Sequence, residues 1–196
     1  MKKMLLSIAL LGAMITPVFA MTQQDVTAAQ RVHRIGTKIA KANNLQHRYI
    51  YDILGNFQED AMPVVFDYST GHDLNLHNNR RVYITANDYL KMTSDDEVAA
   101  ILAHNLAQGE HSYTGVLGGQ FFFTKNGSFP FNYFAKKNEL DFDKTAVAYM
   151  KKAGYNPNAL VTAYEKTLPE WRGTFFGRHN KASKRIAVIK KAISGK

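Results

Sequence analysis

The amino-acid sequence predicts an α+β fold in which helices pack around a small sheet. Several segments carry hydrophobic residues at helical spacing, whereas three short segments are rich in β-branched and aromatic residues and are flanked by turn residues. We find no internal repeat and no interdomain linker, so one layered domain is expected.

The first predicted helix spans residues 22 to about 42. Thr22 and Asp25 resemble a helix start, and Asn43 with Asn44 ends the segment. A buried face at helical spacing is formed by Val26, Ala29, Val32, Ile35 and Ile39. Strands are then predicted over residues 49–54, 64–68 and 81–85.

Three further helices and a basic C-terminal helix follow. A capping box of Ser94 and Glu97 begins the helix over residues 93–110. The next helix spans residues 136–153 and ends at Gly154. Pro157 begins another helix, which runs to about residue 168. The last helix is predicted over residues 180–193, with Ile186, Ile189 and Ile193 on one side.

The N-terminus has the pattern of a bacterial secretory signal peptide. Lys2 and Lys3 precede an apolar run from residue 4 to residue 15, and Pro17 then breaks the helix. Cleavage is expected after Ala20, which leaves a single domain over residues 21–196. The run is too short for a membrane span. The predicted location is the periplasm, with secretion beyond it as the alternative.

Composition narrows the functional classes. The absence of cysteine excludes disulfides, cysteine metal sites and a lipid anchor on an N-terminal cysteine, so a lipoprotein is not expected. Loss of Lys2 and Lys3 with the signal peptide lowers the formal net charge from +9 to +7. Nucleic acid is not an expected partner outside the cytoplasm. A basic surface from residue 178 to 196 could make peripheral contact with the envelope.

The segment His104-Asn105-Leu106-Ala107-Gln108 lies in the middle of the second predicted long helix. In zinc peptidases the motif H-E-x-x-H places two histidines one helical turn apart, where both bind one Zn²⁺. The glutamate between them is the general base. Here the first histidine is present, but Asn105 replaces the base and Gln108 replaces the second ligand.

The following helix carries Glu139 and Asp143, and its end reads Ala153-Gly154-Tyr155-Asn156-Pro157. This resembles the E-x-x-x-D helix, ending in A-G-Y-x-P, of the HtpX and Oma-type family of zinc metalloendopeptidases, which are gluzincins. The resemblance implies a zincin-like metallopeptidase fold with an active-site helix and a third-ligand helix. It also implies that Glu139 is the third zinc ligand and that Asp143 supports His104.

Two further segments extend the resemblance. Residues 81–85 look like the family's edge strand, before the active-site helix. His179 with Arg185 resembles the motif H-P-x-x-x-x-R, in which the histidine lies near the substrate and the arginine braces the site; Asn180 replaces the proline. The resemblance covers nearly all of the chain after the signal peptide.

The departures from the motif set the functional expectation. Loss of the base should lower the rate by orders of magnitude, and an amide is a poor substitute for an imidazole ligand. No cofactor is therefore expected, and Zn²⁺ is the metal expected if any is bound. We expect a catalytically inactive pseudopeptidase that binds a polypeptide or partner protein.

Several alternatives remain open. An active but atypical metalloendopeptidase of periplasmic protein quality control would need another ligand, such as His111, His72 or His77. A basic envelope-binding protein is the other functional class. A buried hydrogen-bond network of Asn105, Gln108 and Glu139 with His104 is one alternative for the site. A second alternative is that Glu139 and Asp143 are solvated charges on a helix face. His179 could be a surface residue. The Phe-rich segment over residues 115–134 could pack under the cleft or form an exposed apolar surface.

Overall fold

The structure is a computed structural model, which describes residues 23–45, 48–54, 64–66, 79–111, 129–168 and 179–195. The predicted signal peptide, His72, His77 and residues 115–128 of the Phe-rich segment lie outside these ranges. In chain order the elements are α1 (Gln23–Asn43), β1 (Arg48–Leu54), β2 (Val64–Phe66), β3 (Asn79–Thr85), α2 (Ala86–Lys91), α3 (Asp95–His111), α4 (Phe129–Lys152), α5 (Ala159–Thr167) and α6 (Ala182–Ser194).

The three predicted strands form one mixed sheet in the order β1-β3-β2. β1 runs parallel to β3 from the pair Arg48 and Asn79 to the pair Leu54 and Thr85. β2 is antiparallel to β3, with Val64 opposite Val82. The expectation that residues 81–85 form an edge strand is wrong, because β2 pairs with the second edge of β3 and makes it the central strand.

The α+β class is confirmed, and the long helices lie close to their predicted positions. α4 begins at Phe129, earlier than the predicted residue 136, so the last part of the Phe-rich segment is helical. Pro130 is compatible with this start, since the first turn of a helix does not require its missing N–H. The short helix α2 was not predicted; Thr85 caps it by accepting a hydrogen bond from the N–H of Asp88.

The start of α3 is held by the predicted Ser94 cap, whose hydroxyl accepts the N–H of Glu97 at 3.2 Å. In a capping box the Glu97 carboxylate would accept the backbone N–H of Ser94 in return. Here it instead accepts the backbone N–H of Thr93 at 2.7 Å and a hydrogen bond from the ammonium of Lys166 at 2.6 Å. The bond from Lys166 ties the beginning of α3 to α5.

At the end of α4, Gly154 has a φ of 73°, a left-handed conformation that glycine adopts without strain.

α3 is the central helix of the core and packs against α1, α4, α5 and β3. Its fully buried residues include Val98, Leu102 and Leu106, which meet Val32, Ile35 and Ile39 of α1 and Met150 of α4 in one hydrophobic cluster. Since α3 carries His104 and Asn105 and α4 carries Glu139 and Asp143, this packing fixes the backbone on both sides of the candidate site. Among the helices that the structure describes, none is both long enough and apolar enough to cross a membrane.

Candidate functional site

Four helices meet at a buried cluster of polar side chains. His104 comes from the middle of α3, while Glu139 and Asp143 lie one turn apart on α4. Tyr164 comes from α5 and Arg185 from the first turn of α6. Asp143 is fully buried and Arg185 is 5% exposed. Ionised groups this deep in a protein require close partners of opposite charge.

The Arg185 guanidinium is the centre of the cluster. Nε donates to Oδ2 of Asp143 at 2.8 Å, and Nη2 donates to Oδ1 of the same carboxylate at 2.6 Å. Nη1 donates to Oε1 of Glu139 at 3.0 Å. Nη2 also donates to the hydroxyl of Tyr164, and the guanidinium lies 4.3 Å from the centre of the Tyr164 ring. One cation therefore binds both carboxylates in the forked geometry that favours arginine over lysine.

The His104 ring lies beside this ion pair. Its Nδ1 is 3.0 Å from Oδ1 of Asp143, and Nη2 of Arg185 is 3.3 Å from Nδ1 and 3.5 Å from Nε2. Because an ionised carboxylate only accepts hydrogen bonds, Nδ1 is assigned as the nitrogen that donates to Asp143. The contact with Asp143 thus orients the His104 ring. However, both ring nitrogens of His104 lie within 3.5 Å of Nη2 of the Arg185 guanidinium.

Glu139 has donors on both of its oxygens. Oε1 accepts from Nη1 of Arg185 and lies 3.0 Å from Nδ1 of His179. Oε2 accepts the backbone N–H of Asn180 at 2.7 Å and the Asn180 side-chain amide at 3.0 Å. The same amide donates to the carbonyl of Lys136 at 2.6 Å. A carboxylate has about four lone-pair sites, so these four donors use the acceptor capacity of Glu139.

Both carboxylates stay ionised because of these partners. Burial would raise the pKa of Asp143, but the hydrogen bonds and charge of Arg185, together with His104, hold it well below its usual value. Burial would also raise the pKa of Glu139, but His179, Arg185 and the Asn180 N–H together hold it below its ordinary value. Burial raises the pKa of the Tyr164 phenol, which remains a neutral donor to Asp143.

Asn105, the first of the two replaced motif positions, does not join this cluster. Asn105 is buried, and its side-chain amide donates to the carbonyl of Tyr83 in β3 at 2.7 Å. Gln108 is half-buried one turn further along α3. The alternative network of Asn105, Gln108, Glu139 and His104 is therefore wrong for Asn105, which instead joins α3 to the central strand. The alternative of solvated charges at Glu139 and Asp143 is also wrong, since both are buried.

Other predicted positions have distinct surroundings. The His179 side chain is 59% exposed, yet it contacts Glu139, so it lies at the surface of the cluster and is not an isolated surface residue. His111 is the last residue of α3, and its side chain is outside the described part. Tyr164 was not predicted; a tyrosine on the buried face of α5 was the available signal, because a buried phenol requires a hydrogen-bond partner.

The described residues do not fit a zinc site. Among them, no group of three or more His, Cys, Asp or Glu side chains is arranged to hold a metal ion. Zinc bound to Glu139 would have to displace a donor from its carboxylate, and zinc bound to His104 would lie next to the positive charge of Arg185. The cluster as it stands is a satisfied ion-pair network.

We expect this network to make the protein sensitive to acid. Because the pKa values of Asp143 and Glu139 are lowered in the folded protein, both carboxylates stabilise it at pH values above their unfolded-state pKa values of about 3.9 and 4.3. That stability should be lost as the pH falls below about 4 toward the folded-state values. Urea unfolding at a series of pH values measures the loss. Asp141→Asn, at a partly exposed position of α4, should leave the pH dependence unchanged. Equal stability at pH 3 and pH 7 would contradict the prediction.

No protein-family model matches the chain, and no curated protein matches it.

Proposed function

We propose that the protein is a catalytically inactive, exported relative of the HtpX and Oma-type metallopeptidases, with a zincin-like fold, that binds a polypeptide or a partner protein without cleaving it. The observation that carries the proposal is the occupation of Glu139 by four protein donors. Glu139 is the residue to which the resemblance gives the third ligand position. In this chain its negative charge is neutralised by protein groups.

Asn180 supports this interpretation most directly. The resembling motif has proline at this position, and proline has no backbone N–H and no side-chain amide. Asn180 supplies both, and both donate to Oε2 of Glu139. The replacement of proline thus adds two donors to a carboxylate that would otherwise have an unused oxygen.

The surroundings of Asn105 argue against peptide hydrolysis. A general base must accept a proton from the attacking water, and a neutral amide cannot do so near pH 7. Its side-chain N–H₂ is also bonded to the Tyr83 carbonyl, which orients the amide toward the sheet. The fold is compatible with a zincin-like scaffold, since a mixed sheet lies beside a central helix and a second long helix.

Zinc content and turnover together test the proposal. The protein, dialysed against Zn²⁺ and then metal-free buffer, should carry far less than one zinc per chain by elemental mass spectrometry. It should not cleave an unfolded protein, with or without chelator, while a pull-down or anisotropy assay detects retention of that protein. Near-stoichiometric zinc that His104→Ala removes, or cleavage that a chelator abolishes, would establish an active metallopeptidase instead.

A further inference from the structure

The helices α4 and α6 lie side by side and run in the same direction. Near their beginnings, the side-chain amide of Asn180, just before α6, donates to the carbonyl of Lys136 in α4 at 2.6 Å. Near their ends, the ammonium of Lys151 in α4 lies 3.3 Å from the carbonyl oxygen of Ala192 and 3.0 Å from that of Ile193 in α6. The contacts follow one order along both helices, so their outer faces are neighbouring parts of one surface.

The outer faces of both helices carry lysines at a spacing of seven residues. On α4 these are Lys137, Lys144 and Lys151, and on α6 they are Lys184 and Lys191, all of which are exposed. Because seven residues are close to two helical turns, each set lies on one face of its helix. At about 1.5 Å per residue, the row on α4 is about 21 Å long. Among the described residues, Lys137, Lys184 and Lys191 have no acidic partner.

Little negative charge lies among these lysines. The helix α6 contains no acidic residue. In α4, Glu139 and Asp143 are buried and bind Arg185, so their charge is neutralised within the core. Asp141 is the remaining acidic residue of α4, and it pairs with Lys144 at 2.9 Å. The outer face of the two helices is therefore strongly positive, and such a face attracts anions.

The helix dipoles do not account for all of these lysines. Lys151 and Lys191 lie in the last turns of their helices, where a cation is favourable. Lys184, however, lies in the first turn of α6, and Lys181 is its N-cap residue, where a cation is unfavourable. The first turn contains no acidic residue, and the N-cap side chain makes no capping hydrogen bond. Local choices that oppose helix stability are expected where a sequence serves binding.

The kind of cation indicates the kind of ligand. Arg185 is the one arginine in α4 and α6, and it is buried in the cluster, so the exposed cations of both helices are lysines. The guanidinium fork recognises one carboxylate or phosphate at a fixed position, whereas a lysine ammonium is a point charge on a flexible stem. A row of such charges over about 21 Å fits a surface with many phosphates better than it fits one small anion.

We propose that the outer face of α4 and α6 binds the surface of a lipid bilayer that contains anionic phospholipids. The headgroup phosphates pair with Lys137, Lys184 and Lys191, and Lys144 and Lys151 add positive charge beside them. The binding is peripheral and reversible, because it is electrostatic. This face is separate from the buried cluster, so its role does not depend on whether that cluster holds zinc.

Sedimentation with lipid vesicles tests the proposal. The probes are vesicles of phosphatidylcholine and matching vesicles in which about one third of the lipid is phosphatidylglycerol. The purified protein should bind the anionic vesicles at least about tenfold more tightly, since each lysine near an anionic surface contributes about fivefold. Added NaCl should release the protein. Equal binding to both kinds of vesicle would overturn the proposal.

Soluble anions distinguish a bilayer from other ligands. Inorganic phosphate should release no more protein from the anionic vesicles than NaCl of equal ionic strength does. Stronger release by phosphate would overturn the proposal in favour of a site for one small anion. Tighter binding to soluble polyglutamate than to the vesicles would overturn it in favour of an acidic protein partner.

Two double variants separate this face from the general basic charge of the protein. Lys184→Gln with Lys191→Gln should weaken binding to the anionic vesicles by at least about tenfold. The urea midpoint should stay unchanged, because the first substitution removes an unfavourable cation from α6 and the second removes a favourable one. Lys41→Gln with Lys91→Gln removes the same charge from exposed positions of α1 and α2 and should weaken binding less than about threefold. Equal losses in the two double variants would overturn the proposal, by showing general attraction to a basic protein.

Discussion

Arg185→Met should destabilise the protein by about 3–5 kcal/mol, the usual cost of removing one partner from a buried ion pair. The side chain is of similar length, but Asp143 would lose two charge-assisted bonds and Glu139 would lose one. Both carboxylates would remain buried without a cation. Urea unfolding at pH 7, followed by circular dichroism, measures the loss.

The pH dependence of this variant should change sign. Without Arg185, burial should raise the pKa of Asp143 above its unfolded-state value, so the variant should become more stable as the pH falls from 7 toward 5. The native protein should not gain stability over this range. Lys184→Met, at the exposed neighbouring position, is the matched control and should change stability by less than about 0.5 kcal/mol. A loss below about 1 kcal/mol in Arg185→Met would show that the cluster contributes little.

Three substitutions should create a zinc site in this chain. Asn105→Glu and Gln108→His restore the general base and a second histidine one turn after His104. Asn180→Pro removes both donors from Oε2 of Glu139 and frees that oxygen for the metal. The triple variant should bind about one zinc per chain, whereas the native protein should bind far less. Zinc titration against a competing chelator, with elemental mass spectrometry, measures the affinity.

The order of affinities tests the role of Asn180. The variant with Asn105→Glu and Gln108→His alone should bind zinc at least about tenfold more weakly than the triple variant, because all four donors still occupy Glu139. Asn180→Ala in place of Asn180→Pro keeps the backbone N–H and should give an intermediate affinity. If Asn180→Pro adds nothing to the double variant, occupation of Oε2 does not limit metal binding in this fold.

Hydrophobic spacing predicted most of the fold because it reflects burial directly. Of the five α1 residues that were expected to share a buried face, Val32, Ile35 and Ile39 are fully buried, whereas Val26 and Ala29 are only partly buried. Gly154 ends α4 as its position indicated. The order of the strands was not predictable in this way. Spacing identifies β2 and β3 as strands, but the pairing of β2 with β3 depends on contacts between distant residues.

The residues of the candidate site were identified by motif, whereas their partners depend on tertiary structure. His104, Glu139, Asp143 and Arg185 meet in one cluster. Tyr164 was missed, since no motif separates it from other tyrosines on buried helix faces. The role of Asn180 was also missed, because a hydrogen bond to Glu139 across 41 residues leaves no local pattern.

The sequence separation within the buried cluster has a consequence for how the chain folds. Arg185 reaches back 42 residues to Asp143 and 81 residues to His104. Until α6 docks, the carboxylates of α4 have no cation and are stable only in contact with water. Folding intermediates that lack α6 should therefore keep the region between α3 and α4 hydrated and loosely packed. Closure of this region is then a late, long-range step, and such steps slow folding and make it cooperative.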